Sequence, residues 1–175
     1  MKITPHDIIP AGRSERSTRI ALFAGSFDPF TIGHKSIVDR ALPLFDTIII
    51  GIGINSAKTP WMPLPDRMAA IRSLYADNPA VRVESFSGLA TEFARRNGAR
   101  WLLRGVRSVA DFEYERDMAE ANRMITTTDT PDDKSPIETV FIPALPELAV
   151  VSSSLVRELA RFGGDYARFL PDTQQ

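Results

Sequence analysis

The sequence predicts an α/β fold, a doubly wound, five-stranded parallel sheet with helices on both faces. Three observations lead there. Five apolar runs bounded by turn signals recur along the chain. Helix-period segments separate them, so strand and helix alternate from end to end, the order that places crossover helices on both faces of a parallel sheet. The composition, 43% hydrophobic and 25% charged with 10 Gly and 13 Pro, is that of a globular chain rather than a disordered one.

The first strand is IALFA (20–24), and the stretch GSFDPFTIGH (25–34) leads from it into a helix over 33–44, with Thr31 and His34 three apart where that helix begins. TIIIGIGI (47–54) is the second strand; SAKTPWMPLP then places three prolines in ten residues before a helix over 65–76. VRVESF (81–86) and a helix over 88–97 come next. ARWLLRG (99–105) precedes a helix over 109–124, at whose start Ser108 and Asp111 stand in capping-box spacing. TVFIPA (139–144) is the last strand, and three consecutive serines open the last helix, over 153–162. ITTTDTPDDKSP (about 125–136) is polar, lacks an apolar period and reads as a loop insertion. The expected organisation is a polar N-terminal extension over 1–18, one domain over 19–171 with no helix after RFLP, and a tail over 172–175.

Composition excludes several functions. A formal net charge of -1 disfavours general nucleic-acid binding. The absence of Cys removes disulfides, thiolate catalysis and cysteine zinc sites, and the two histidines, His6 and His34, are far apart in sequence. No apolar segment approaches the ~20 residues of a membrane span. The first residues lack a secretory apolar stretch, and Asp7 and Glu15 argue against reading Arg13, Arg16 and Arg19 as a transit peptide, so cytoplasmic residence is expected.

In an open parallel sheet, ligands bind beyond the carboxyl ends of the strands, where the strand order reverses. GSFDPFTIGH leaves such an end. Gly25 and Gly33 allow close backbone approach, Pro29 stiffens the turn, and the amides of the helix start favour an anion. On these residues alone His34 is either an anion ligand or a capping or core residue of a tight strand-to-helix turn. GIGINS (51–56) is half of a dinucleotide fingerprint, but the third glycine is missing and a proline-rich stretch replaces the packed helix, which argues against hydride transfer. Lys58 in that stretch can reach towards the first strand. RGVR (104–107) sets two guanidinium forks at the same edge, suited to phosphate or to exposed ion pairs. The serines of VVSSSLVREL (150–159) offer hydroxyls and free amides to phosphates, or simply a cap.

Taken together, GSFDPFTIGH, Lys58, RGVRSVADFEYE and VVSSSLVREL resemble the bacterial phosphopantetheine adenylyltransferases, in order and over roughly residues 19–171 except at the polar insertion. A T-x-G-H element alone marks only the wider nucleotidyltransferase superfamily; the two later motifs narrow it. The resemblance implies a Rossmann-like domain that moves AMP from ATP to 4'-phosphopantetheine, giving dephospho-coenzyme A and pyrophosphate. It also implies Mg²⁺ held mainly by substrate phosphates, a homohexamer, and neither nucleic acid nor membrane as partner. It implies catalytic roles for His34, Lys58 and Arg107. Ser26, Phe27, His34, Gly105, Val106, Arg107 and Glu115 would line the ATP site. Leu148, Ala149, Val150, Val151, Ser152, Ser153 and Ser154 would approach ATP, the serines near its phosphates. Ser26, Lys58, Ala90 and Arg104 would meet phosphopantetheine, Arg104 at its phosphate. Three positions depart from the family pattern: Ser26 stands where Thr is common, Leu148 where an aromatic residue is frequent, and Ala90 where larger apolar side chains are usual.

The nucleophile so implied is a phosphate oxygen, already ionised near neutrality because its second pKa is ~6. It needs no general base, so His34 is expected to donate a hydrogen bond to the transferring phosphate. Another adenylyl- or cytidylyltransferase of the superfamily, acting on nicotinate mononucleotide or an alcohol phosphate, is the nearest rival, and RGVRSVADFEYE tells against it. A nucleotide-binding module without catalysis is the other, opposed by Ser26, His34, Lys58 and Arg107 occurring together.

Overall fold

Each of the five apolar runs forms a strand in the computed structural model, which describes residues 17–55, 57, 59–127 and 135–172. In chain order these are β1 (Ile20–Gly25), α1 (Ile32–Ala41), β2 (Thr47–Gly53), α2 (Leu64–Leu74), β3 (Val81–Phe86), α3 (Ala90–Arg96), β4 (Trp101–Val106), α4 (Val109–Thr127), β5 (Glu138–Pro143) and α5 (Ser153–Arg161). All neighbours pair in parallel, in the order β3-β2-β1-β4-β5. The order reverses between β1 and β4, so the crevice expected of a doubly wound sheet opens there.

The period of two along each strand sorts side chains between two cores. Ala21 and Phe23 of β1, with Ile48, Ile50 and Ile52 of β2, face Ile37 and Val38 of α1 and Ile71 of α2. Leu22 and Ile49, one residue out of phase, face Phe93 and Ala94 of α3. Phe112 of α4 meets Phe141 of β5 edge-on, with centroids 5.4 Å apart. Helices therefore cover both faces.

Several boundaries differ from the sequence reading, three of them for evident local reasons. The first helix stops at Ala41, where Pro43 turns the next three residues into a 3-10 turn. α3 begins at Ala90 rather than at residue 88, because Gly88 lies at φ +85. α4 continues to Thr127, through the first residues of the run read as a loop. The Thr126 and Thr127 hydroxyls donate to the Asn122 and Arg123 carbonyls, and buried Thr126 accepts the amide of Ile137 at 3.0 Å, so these polar side chains serve the helix and its junction with β5. The remainder of that loop over 128–134, the extension over 1–16, Ser56 and Lys58 lie outside the described residues.

Candidate active site

A cleft of about 340 Å³ opens at the switch point, floored by the ends of β1 and β4 and walled by the first turns of α1 and α5. The segment from Gly25 to His34 forms one side. Gly25 is required there: a Cβ would stand 2.9 Å from the ring of Phe27, a residue held at φ 46. The next peptide but one, Asp28–Pro29, is cis.

His34 is fixed by the chain itself. Thr31 caps α1, its Oγ1 accepting the amide of His34 at 3.4 Å, while the Thr31 amide donates to His34 Nδ1 at 3.0 Å. A backbone amide can only donate, so Nδ1 is the bare nitrogen and the proton resides on Nε2. The rings of Phe23, Phe27 and Phe30 surround the imidazole, with centroids 6.2, 5.2 and 5.3 Å away. Burial, then the charges of Arg107 and Arg104, lower the His34 pKa to about 4. Near neutrality it is an uncharged Nε2–H donor.

The end of β1 and the loop that leads to His34 are held by side chains of other elements. Arg104, Arg67 and Arg157 donate to the carbonyls of Ala24, Ser26 and Asp28, at 2.8, 2.6 and 2.6 Å. Ser153 Oγ donates to the Pro29 carbonyl at 2.8 Å. The Asp28 carboxylate reaches out instead, accepting the amides of Trp61 and Met62 at 2.7 and 2.8 Å. None of Arg67, Arg157 or Asp28 was singled out by the sequence; their partners are distant in the chain, and no local spacing announces them.

The two arginines of RGVR differ in state. Arg104 forms a two-pronged ion pair with the buried Glu115, through Nε at 2.7 Å and through Nη2, and with the Ala24 bond this leaves two of a guanidinium's five N–H groups. Arg107 is exposed, 3.6 Å from Asp111. Asp111 accepts the amide of Arg107 while donating its own to Ser108 Oγ at 3.1 Å, so the expected capping box closes one residue early.

The three serines have three different partners. Ser152 caps α5 by accepting the Leu155 amide at 3.1 Å, Ser153 holds Pro29, and Ser154 accepts from Arg157 at 3.1 Å. An accepting hydroxyl still carries its hydrogen, so Ser152 and Ser154 keep a donor for an anion, as do the first-turn amides of α5.

Of the residues expected at an ATP site, Ser26, Phe27, His34, Gly105, Arg107 and Glu115 share this cleft, with Leu148, Val151 and the three serines opposite. Val106 is buried beside it, and Val150, 71% exposed, does not line it; nor does Ala149. Ala90 lies on a neighbouring, more open hollow of about 460 Å³, which meets the cleft at Ala24 and Gly25. Lys58 falls outside the described residues. The arrangement can hold a polyanion between two helix starts and present one neutral donor to it, with a second, partly apolar compartment alongside.

Comparison with known proteins agrees in its direction. Residues 22–159 match a family model described as cytidylyltransferase-like. A protein named phosphopantetheine adenylyltransferase from Phocaeicola vulgatus is 46% identical over 154 residues, which are 88% of this chain and 96% of that protein. Its namesake from Cytophaga hutchinsonii is 43% identical over 154 residues, 88% of this chain and 97% of that one. A bifunctional NMN adenylyltransferase/ADP ribose pyrophosphatase from Francisella tularensis superposes with a TM-score of 0.61 at 16% identity, over 88% of this chain and 45% of that chain, a likeness of fold.

Proposed function

The chain belongs to the phosphopantetheine adenylyltransferase family of cytidylyltransferase-like enzymes, and from that premise we propose how its geometry transfers AMP from ATP to 4'-phosphopantetheine. The products are dephospho-coenzyme A and pyrophosphate, which places the reaction in coenzyme A synthesis. One observation carries the mechanism: Nδ1 of His34 is occupied by the Thr31 amide, so Nε2 bears the proton.

An imidazole in that state has no free lone pair for a base. The acceptor does not require one, since its phosphate is largely dianionic near neutrality. The oxygen attacks the α-phosphorus in line, the bond to the pyrophosphate oxygen breaks, and charge grows on the transferring and leaving oxygens. His34 Nε2–H donates to the transferring phosphate as that charge develops. Arg107, Ser152, Ser154 and the first-turn amides of α5 hold the departing pyrophosphate. Arg104 offers its remaining N–H groups to the pantetheine phosphate, Lys58 neutralises charge between the substrates, and Ser26 meets both. The pantetheine arm extends into the hollow beside Ala90. Leu148 bounds the nucleotide, and Val106, Ala149 and Val150 support that edge.

Among the described residues, no three carboxylate or imidazole groups gather as a metal cage. At the cleft, Glu115 is paired with Arg104, and Asp111 with the Arg107 amide. This donor set suits a Mg²⁺ ion that arrives on ATP and keeps phosphate and water ligands. When bound, such an ion would supply positive charge to the triphosphate. Six copies would assemble as in the family resemblance, and Tyr114, Met118 and Ile125, all exposed at helical spacing on α4, give the chain an apolar stripe to pair. No described helix is long and apolar enough to cross a membrane; cytoplasmic residence and a single domain over 19–171 complete the reading.

The test is an assay with ATP, Mg²⁺ and 4'-phosphopantetheine, monitoring pyrophosphate and dephospho-coenzyme A beside a nicotinate mononucleotide control. Product from phosphopantetheine alone is expected; binding without product would favour a non-catalytic module. Arg104→Ala should raise the KM for 4'-phosphopantetheine roughly 10-fold or more, and a saturation curve left unmoved would remove its assigned role.

A further inference from the structure

The three arginines that donate to carbonyls at the end of β1 and in the loop beyond it are not alike. Arg104 is balanced by Glu115, and Arg157 stands on the wall of the cleft, open to whatever enters. Arg67 has neither arrangement. It projects from α2, is 7% exposed, bonds to the Ser26 carbonyl and leaves its Nε without a hydrogen-bond partner. Among the described residues no carboxylate forms an ion pair with it. A guanidinium keeps its charge at any pH the protein meets, and burying one without a counter-charge is strongly unfavourable. What can compensate it lies across the Ser26 peptide, in the cleft where two polyanionic substrates meet.

We propose that Arg67 is a positioning residue of the transfer: it holds the Ser26 carbonyl turned into the protein and lends a buried positive charge to the phosphates bound in front of that peptide. The inference rests on the adenylyl-transfer reading for what occupies the cleft. Two consequences separate it from a plain structural anchor. The bond to Arg67 turns a partial negative charge away from the phosphate oxygens, and the charge behind it draws them in; an anchor does only the first. The penalty of the buried cation is also greatest in the free protein and relieved by substrate, whereas an anchor contributes equally in both states.

Arg67→Met and Arg67→Lys, measured by calorimetry and thermal melting with ATP and with 4'-phosphopantetheine, distinguish the two. The methionine variant should melt at or above the wild-type temperature when free, as when buried ionic groups are replaced by apolar ones. Its Kd for both substrates should rise roughly 10-fold, and its substrate-induced gain in melting temperature should shrink in proportion. Lysine keeps the charge and loses the fork, so affinity should return to within about threefold while kcat stays reduced. Affinity decides: a methionine variant whose Kd values match wild type overturns the proposal whatever its melt, and so does a lysine variant as weak as the methionine one. If Arg67→Met does not fold, Arg67→Lys decides alone, a lowered kcat at Kd values within about threefold of wild type supporting the proposal, and either weaker binding than that or an unchanged kcat overturning it. These readouts need no turnover by the methionine variant. A wild-type protein that binds both substrates and makes no dephospho-coenzyme A would therefore overturn the transfer reading while the Arg67 comparison of affinities still stands.

Discussion

β1 and β2 are adjacent, in register from Ile20 opposite Thr47 to Gly25 opposite Ile52, and both leave the sheet among glycines, yet the connections beyond them differ in kind. After β1 the chain reaches α1 within a few residues, and three carbonyls of that connection, those of Ser26, Asp28 and Pro29, accept from side chains of other elements. After β2 it runs through a longer, proline-rich segment to α2, whose cap residue Pro63 makes no side-chain bond. Gly51 serves packing, since a Cβ there would stand 2.7 Å from Leu22 Cδ1. The first edge faces the cleft, the second the open hollow. On the proposed mechanism the reacting phosphorus needs a loop held in one geometry, whereas the pantetheine arm needs a compartment of suitable shape.

The largest blow to that contrast is His34→Ala. Turnover should fall by more than ~100-fold with ATP affinity little changed, the pattern of a donor that acts in the transition state; equal loss of ATP affinity with turnover intact would refute it. Two alanines sharpen the contrast further. Gly25→Ala forces its Cβ to within 2.9 Å of the Phe27 ring beside His34, and kcat/KM should drop roughly 10-fold. Gly51→Ala overpacks the opposite core by about 1–3 kcal/mol, visible as a lowered Tm with kcat unaltered. If the two variants exchanged phenotypes, the division between a fixed edge and a packed one would be lost.

The gentlest probe is pH. In a His6→Gln variant the remaining imidazole should titrate by NMR near its folded value of about 4, not near 6.5. Because that pKa is depressed, stability is complete above ~6.5 and is lost as pH falls towards ~4, where the unfolded chain binds a proton that the folded chain refuses. Denaturation midpoints compared at pH 7 and pH 5 check the sign, and a midpoint near 6.5 would mean that the aromatic surroundings leave the ring wet.

The architecture was legible because its signals are local and repeated. VRVESF spans β3 from end to end, and TIIIG reads as a buried parallel strand in sequence as it is in the sheet. The extra turn of α4 was not, since Thr126 and Thr127 look like loop residues until their hydroxyls find carbonyls one turn back. That many of the expected residues would share one cleft was likewise legible, for GSFDPFTIGH, RGVR and SSS each sit at a strand end or helix start. The clamp was illegible: Arg67 and Ser26 are 41 residues apart, Arg157 and Asp28 129. An isolated arginine on a helix gives no sign of which carbonyl it will find.

The Thr31 amide on His34 Nδ1 bears finally on thrift with ATP. Water is the abundant competitor for the α-phosphorus, and unlike a phosphate dianion it becomes a strong nucleophile only after surrendering a proton. A histidine whose one lone pair is already taken cannot accept that proton. On the proposed mechanism, idle hydrolysis is thus restrained by chemistry as well as by exclusion: the cleft can stay open to solvent between turnovers, and the acceptor is selected because it arrives already ionised.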